Sequence, residues 1–147
     1  MRPDQLMQID RDGFGGYLKT LGKVAGVEIH DFATIVTALT QRFEFFNEMG
    51  GRLSDHSLLT YHFEEATQAE LDAIVAKGIN NAALSEHEIN QYLTMLLEAL
   101  MKLNTQFNWT MQFHINSDRD LNRPMFAKIG PDTGYDAVGT QPDIVKH

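Results

Sequence analysis

Two strand-like stretches with helical sequence between them constrain this chain more than any other feature. The first is RLSDH, at Arg52 to His56, and the second is NWTMQFHIN, at Asn108 to Asn116. A strand, two helices and a second strand form the order that is typical of parallel strands joined by helices. The sequence therefore predicts an α/β chain, mostly helical, with two or three short parallel strands.

Capping residues mark the starts of the stronger predicted helices. Asp31 is a candidate N-cap, and the pairs Thr67 with Glu70 and Ser85 with Glu88 have the spacing of a capping box. Apolar side chains recur at helical spacing after each of these positions. The stretch FGGYLKTLGKVAG, which precedes Asp31, has the same periodicity, but its glycines predict a weak helix.

So few strands make a poor sheet by themselves. A parallel sheet is normally covered on both faces and contains more strands than are predicted here. We therefore expect residues 1–147 to form a single segment of a larger architecture. The last residues, from about 139 to 147, are rich in turn formers and weakly patterned, which predicts a weakly ordered tail.

The second strand has two chemically different faces. Neighbouring side chains of a strand point to opposite sides. One side carries Trp109, Met111, Phe113 and Ile115, whereas His114 is the last residue of the polar side before a loop. The carboxyl ends of parallel strands are where ligands bind. His114 is therefore either a ligand-binding residue or a buried histidine bonded to a neighbouring carbonyl.

The first strand has a less clear pattern. If Leu53 packs against the helices, alternation turns Ser54 and His56 to the opposite side and leaves Asp55 on the side of Leu53. On this interpretation Asp55 is functional only if the strand ends or bulges before it. The alternative is that Asp55 caps the following turn.

Charge and composition exclude several classes of protein. The net charge of −8, without a cluster of Lys and Arg, argues against nucleic-acid binding. The chain has no apolar run of about 20 residues, so we expect no membrane span. It has no cysteine, which excludes disulfides and Cys-type zinc sites. Since it also shows no secretory signal, the sequence predicts a cytoplasmic protein.

Four blocks in order resemble the uronate isomerases (glucuronate isomerases) of the amidohydrolase superfamily. They are RPD at 2–4, GRLSDH at 51–56, WTMQFHI at 109–115 and GPDTGYD at 130–136. The resemblance implies a (β/α)8 TIM barrel of which this chain is the middle third. It also implies aldose–ketose isomerisation of a sugar acid, either D-glucuronate to D-fructuronate or D-galacturonate to D-tagaturonate.

The resemblance also implies roles for particular residues. His114 would be a ligand of a divalent metal, zinc being expected, and would share the catalytic site with Asp55, which handles a proton or binds a substrate hydroxyl. Arg2, His56 and Arg119 would bind substrate, and Arg2 suits this task because a guanidinium can bind a carboxylate with two parallel hydrogen bonds. For GPDTGYD we favour a loop that shapes the barrel mouth over direct contact with substrate.

The family's metal site also needs a His-x-His pair and a further aspartate, and this chain contains neither segment. We therefore expect the metal to be held by the complete enzyme, which the resemblance implies is a homo-oligomer, and the fragment alone to be inactive. Two other hypotheses stay open. One is hydrolysis by another metal-dependent amidohydrolase-type barrel that uses His114, and the other is a non-catalytic helical interaction domain.

Overall fold

A computed structural model of the chain describes residues 1–58, 62–115 and 117–139. Residues 140–147, which hold nearly all of the predicted tail, lie outside the described part. A short 3₁₀ helix, Asp4–Met7, precedes the longer elements. These elements are α1 (Phe14–Ala25), α2 (Phe32–Glu48), β1 (Leu53–Leu58), α3 (Gln68–Ile79), α4 (Glu86–Phe107), β2 (Thr110–Ile115), β3 (Ser117–Asp118), α5 (Arg123–Ile129) and β4 (Ala137–Val138).

The predicted capping residues start their helices. The side chain of Asp31 accepts a hydrogen bond from the backbone N–H of Thr34 and begins α2. Complete capping boxes at Thr67 and Ser85 begin α3 and α4. Each box satisfies backbone N–H groups that have no partner within the helix, so the helix starts are fixed locally by sequence.

Helix α1 is regular in spite of its glycines, because these residues allow close packing. A Cβ atom on Gly15 would lie 2.5 Å from the carbonyl oxygen of Ile79, at the end of α3. Only glycine tolerates that approach. The cost in helix propensity that the sequence indicates is offset here by contact with a second helix.

The core lies among the first four helices. Tyr92 of α4 is fully buried, and its ring packs edge-to-face against Phe14 and Phe32, with centroids 6.1 Å away in both cases. Its hydroxyl donates a hydrogen bond to the carbonyl oxygen of Leu6 at 3.0 Å. By contrast, α5 contributes no buried residue. No helix in the described ranges is long and apolar enough to cross a membrane.

Strands β1 and β2 pair in parallel, as predicted, in a register that runs from Leu53 opposite Thr110 to Leu58 opposite Ile115. The backbone of Met1 also contacts β1, since Asp55 N–H donates to Met1 O at 2.9 Å. The short strands β3 and β4 form a separate antiparallel pair, which the sequence did not indicate.

The predicted assignment of faces in β1 is wrong. Ser54, His56 and Leu58 are the buried residues, whereas Leu53 is 42% exposed. Asp55 is on the side of Leu53, but that side faces away from the helices. Because β1 continues regularly to Leu58, no bulge is needed to bring Asp55 there. The error arose from placing the single apolar residue Leu53 against the helices.

Candidate active site

The sheet side that faces away from the helices gathers the chemically reactive side chains. We call it the open face; it consists of Leu53, Asp55 and Ser57 of β1 and Thr110, Gln112 and His114 of β2. Paired residues of a parallel sheet point to the same side, so the register fixes this set. Asp55 is opposite Gln112, and Ser57 is opposite His114. Asp55 and His114 are therefore diagonal neighbours.

The two predicted catalytic residues are in contact. Oδ1 of Asp55 lies 2.7 Å from Nδ1 of His114. The separation is within hydrogen-bonding distance, so the carboxylate and the imidazole are in direct polar contact. A carboxylate beside an imidazole is a pair that can bind or transfer a proton.

Arg2 contacts the other oxygen of the same carboxylate. Its Nε lies 3.2 Å from Oδ2 of Asp55, and its Nη2 lies 2.8 Å from Oδ2 of Asp4. The other oxygen of Asp4 accepts a hydrogen bond from the N–H of Ser57 at 3.1 Å. The structure therefore brings Arg2, Asp55 and His114 together, as the sequence analysis expected of a common site.

Two residues near this site were missed. Asp4 was part of a recognised block but received no role. Gln112 lies on the open face with its Nε2 3.4 Å from Nε2 of His114. The signal for Gln112 was available, because it is on the same side of the strand as His114 by simple alternation. The role of Asp4 depends on contacts with β1 that no local pattern reveals.

His56 lies on the opposite side of β1 and is fully buried. The Ser54 hydroxyl donates to Asn104 Oδ1 of α4, so its oxygen accepts from His56 Nε2, with both separations 2.8 Å. Asn104 in turn donates to the Leu100 carbonyl. This network holds β1 to α4, and it does not bring the predicted substrate-binding His56 to the open face.

Burial lowers the pKa of His56 from 6.5 to about 4. Desolvation of the charged ring is the main cause, and the carboxylates of Asp4 and Asp55 oppose it in part. His56 Nδ1 is buried with no hydrogen-bond partner within the described residues. The ring is therefore neutral at pH 7, with its proton on Nε2 and a bare lone pair on Nδ1.

Arg119 lies outside the open face. Its Nη1 is 3.0 Å from Oδ2 of Asp136, whose other oxygen accepts from the N–H of Asp120 at 3.0 Å. These contacts join the loop after β3 to the GPDTGYD loop, in agreement with a scaffold role for that block. Arg119 and Arg2 nevertheless line one cavity of about 870 Å³.

The sequence profile of the glucuronate isomerase family matches residues 1–147. The chain belongs to the glucuronate isomerase family. It is 97% identical over 147 residues to the uronate isomerase of Latilactobacillus sakei, and the match covers 100% of this chain and 31% of that protein. It is 50% identical over 144 residues to the uronate isomerase of Lactococcus lactis, with 98% of this chain and 30% of that protein covered.

Solved structures agree with this membership. The uronate isomerase of Thermotoga maritima superposes with a TM-score of 0.87 at 30% identity, over 99% of this chain and 32% of that one. The glucuronate isomerase of Caulobacter crescentus, at 17% identity and a TM-score of 0.78, supports the fold alone. The prediction of a partial TIM-barrel segment is confirmed. The chain spans about a third of the length of these relatives.

The open face of this glucuronate isomerase segment suits one ligand of a metal site. No three His, Asp or Glu side chains lie close enough to hold a metal ion in the part of the chain that the structure describes. A catalytic zinc needs about three protein ligands. His114 has its Nδ1 against Asp55, which leaves Nε2 as the atom that could bind metal. A carboxylate that orients a histidine in this way is common beside metal ions.

Proposed function

We propose that this chain supplies Asp55, His114 and Arg2 to the active site of a uronate isomerase. The complete enzyme would interconvert D-glucuronate and D-fructuronate, or D-galacturonate and D-tagaturonate. The observation that carries this proposal is the contact between Asp55 and His114 on the open face of the paired strands. The names of the relatives, which are uronate isomerases, support the substrate class.

Asp55 is the candidate base. Isomerisation of an open-chain aldose moves a proton from the carbon beside the carbonyl to the carbonyl carbon, by way of an enediol. A carboxylate that takes the proton from one carbon can return it to the other, so one residue can serve both steps. Asp55 lies 2.7 Å from His114 and 3.2 Å from Arg2, the residues that would hold the metal and the substrate, so it is placed for this task. Arg2 would bind oxygens of the anionic substrate, since its guanidinium is charged and directional.

His114 is the candidate metal ligand. When bound, a divalent metal such as zinc would polarise the sugar carbonyl and stabilise negative charge on its oxygen. Asp55 would fix the orientation of the imidazole through Nδ1, and Nε2 would face the metal. The other ligands would have to come from polypeptide outside the described residues. His56 and Arg119 are proposed substrate residues only on the strength of family resemblance.

The test is a graft in which these 147 residues replace the aligned segment of the L. sakei uronate isomerase. We expect the graft to isomerise D-glucuronate, and its His114→Ala variant to lose activity by at least about 100-fold. His30→Ala, which changes an exposed histidine before α2, is the matched control and should retain activity. Turnover of lactones or amides instead of uronates would favour a hydrolase and refute the proposal.

The 147-residue chain by itself is proposed to be inactive, since Asp55, His114 and Arg2 are only part of a site. Metal-dependent turnover of D-glucuronate by the purified chain would contradict this. A cytoplasmic location, the absence of nucleic-acid and membrane partners, and a homo-oligomeric complete enzyme also stay proposals, which rest on composition and family. Light scattering of the graft would test the oligomeric state.

A further inference from the structure

Arg2 lies between two carboxylates that contact different nitrogens of its guanidinium. Asp55 meets Nε, and Asp4 meets Nη2 at the shorter distance of 2.8 Å. The Arg2 side chain is 54% exposed. An exposed arginine with one ion pair samples many rotamers, because a single surface pair contributes little. Contacts at two nitrogens of the planar group restrict its rotation as well as its position.

Asp4 is itself held in place. Its side chain is 26% exposed, and its second oxygen accepts from the N–H of Ser57 at 3.1 Å. Ser57 is the residue paired with His114 in the parallel register. The hydrogen bond from Ser57 therefore holds the carboxylate of Asp4 against β1, beside the candidate metal ligand. Asp4 in turn contacts Arg2 and restricts its position.

We propose that Asp4 is a positioning residue that fixes the Arg2 guanidinium for the carboxylate or hydroxyl oxygens of the sugar acid. This inference rests on the proposed function. Nε and Nη2 lie against Asp55 and Asp4, and within the described residues no carboxylate contacts Nη1, whose two N–H groups could meet the substrate. Asp4 touches no reacting atom in this scheme, and its effect passes through Arg2.

The two contacts of Asp4 can be separated by substitution. Asp4→Asn keeps a side-chain oxygen that can accept from Ser57 N–H, but it removes the charge that holds Arg2. Asp4→Ala removes both contacts. If Asp4 only ties the N-terminal segment to β1, the asparagine variant should behave as the unsubstituted protein, and the alanine variant alone should be impaired.

The experiment uses the L. sakei graft with D-glucuronate as the substrate. We expect Asp4→Asn to raise KM about tenfold and to leave kcat within about twofold, because the lost orientation weakens substrate binding. Equilibrium titration with D-glucuronate should show a similar loss of affinity. Asp12→Asn makes the same change of charge at an exposed position outside the site, and it should leave KM unchanged.

Coupling to Arg2 decides the mechanism. In a graft that already carries Arg2→Lys, Asp4→Asn should change KM by less than about twofold, because a residue that acts through Arg2 has no further effect there. Two results would overturn the proposal. Either Asp4→Asn leaves KM unchanged in the graft that keeps Arg2, or it raises KM equally with and without Arg2→Lys. If Asp4→Asn does not fold, Asp4→Glu is compared in the same two backgrounds. We expect its effect on KM to be smaller when Arg2 is replaced by Lys, and an equal effect in both backgrounds would refute the proposal.

Failure of the positioning role is distinguishable from failure of the proposed function. If the unsubstituted graft does not isomerise uronates, the proposed function is refuted and this inference falls with it. If the graft is active and Asp4 shows no coupling to Arg2, only the positioning role is refuted.

Discussion

The two sides of the β1–β2 sheet satisfy their polar groups in opposite ways. On the helix side, the buried Ser54 donates to Asn104 of α4 and accepts from the buried His56, whose Nδ1 has no partner within the described residues. On the open face, Asp55 and His114 are paired with each other, and the His114 side chain is 47% exposed. A buried neutral network stabilises a fold, whereas the half-exposed His114 beside Asp55 remains accessible to a ligand.

This contrast shows that residue type alone does not distinguish the candidate active-site histidine, His114, from a buried structural one. His56 and His114 are both strand residues near polar neighbours. His56 is neutral and enclosed, and its Nε2 is committed to Ser54. Nε2 of His114 has a longer contact of 3.4 Å with Gln112, which a ligand could replace. The helix side should therefore control stability, and the open face should control activity.

The greatest loss of stability should follow a substitution on the helix side. Phe43 of α2 is fully buried and stacks on Trp109, with ring centroids 4.8 Å apart. Phe43→Ala would remove this packing and leave a cavity under the start of β2. We expect the free energy of unfolding to fall by about 3–5 kcal/mol. Urea unfolding of the chain, followed by circular dichroism, would measure it.

Phe45 on the same helix is the matched control, because its side chain is 45% exposed. Phe45→Ala should cost about 1 kcal/mol or less, including the loss of its contact with the Arg42 guanidinium. Equal losses for Phe43 and Phe45 would mean that the helix side is not the stabilising side of the sheet.

The pH dependence of stability should report on His56. Its pKa is about 4 in the folded chain, against 6.5 for a histidine in an unfolded chain. The unfolded chain therefore binds more protons between these values, so stability is full above about pH 6.5 and falls as the pH drops towards 4. The loss from this residue should be at most about 3 kcal/mol.

His56→Gln removes the titrating group and is the control for that window. Unfolding free energies measured from pH 7 to pH 4 should show a shallower slope in this variant than in the unsubstituted chain. The same slope in both chains would show that His56 is accessible to solvent protons in the folded state, and the contrast between the two sides would then be lost.

The helices could be predicted from sequence because their signals are local. Asp31, Thr67 and Ser85 start helices through contacts three residues away. The parallel order of the strands followed from the helices between them. The separate β3–β4 pair did not, since two-residue strands have no periodicity to detect.

The faces of β1 could not be predicted from alternation, which separates two sides without saying which one meets the helices. Burial of Ser54 depends on an acceptor from Asn104, which is 50 positions away in sequence. The sequence predicted that Asp55 and His114 come from separate strands and point to a common pocket, but their contact depends on the strand register. Asp4 and Gln112 were missed because their importance lies in which atoms they contact.

The candidate active-site histidine, His114, should contribute least to stability. His114→Gln changes a half-exposed side chain whose ion pair with Asp55 is open to solvent on one side. We expect the free energy of unfolding to change by about 1 kcal/mol or less. His56→Gln should cost more, about 1–3 kcal/mol at pH 7, because a flexible amide replaces a fully buried ring that contacts Ser54 and Phe113. A larger loss for His114 than for His56, in parallel urea titrations, would mean that the open face supports the fold and would reverse the division between stability and chemistry.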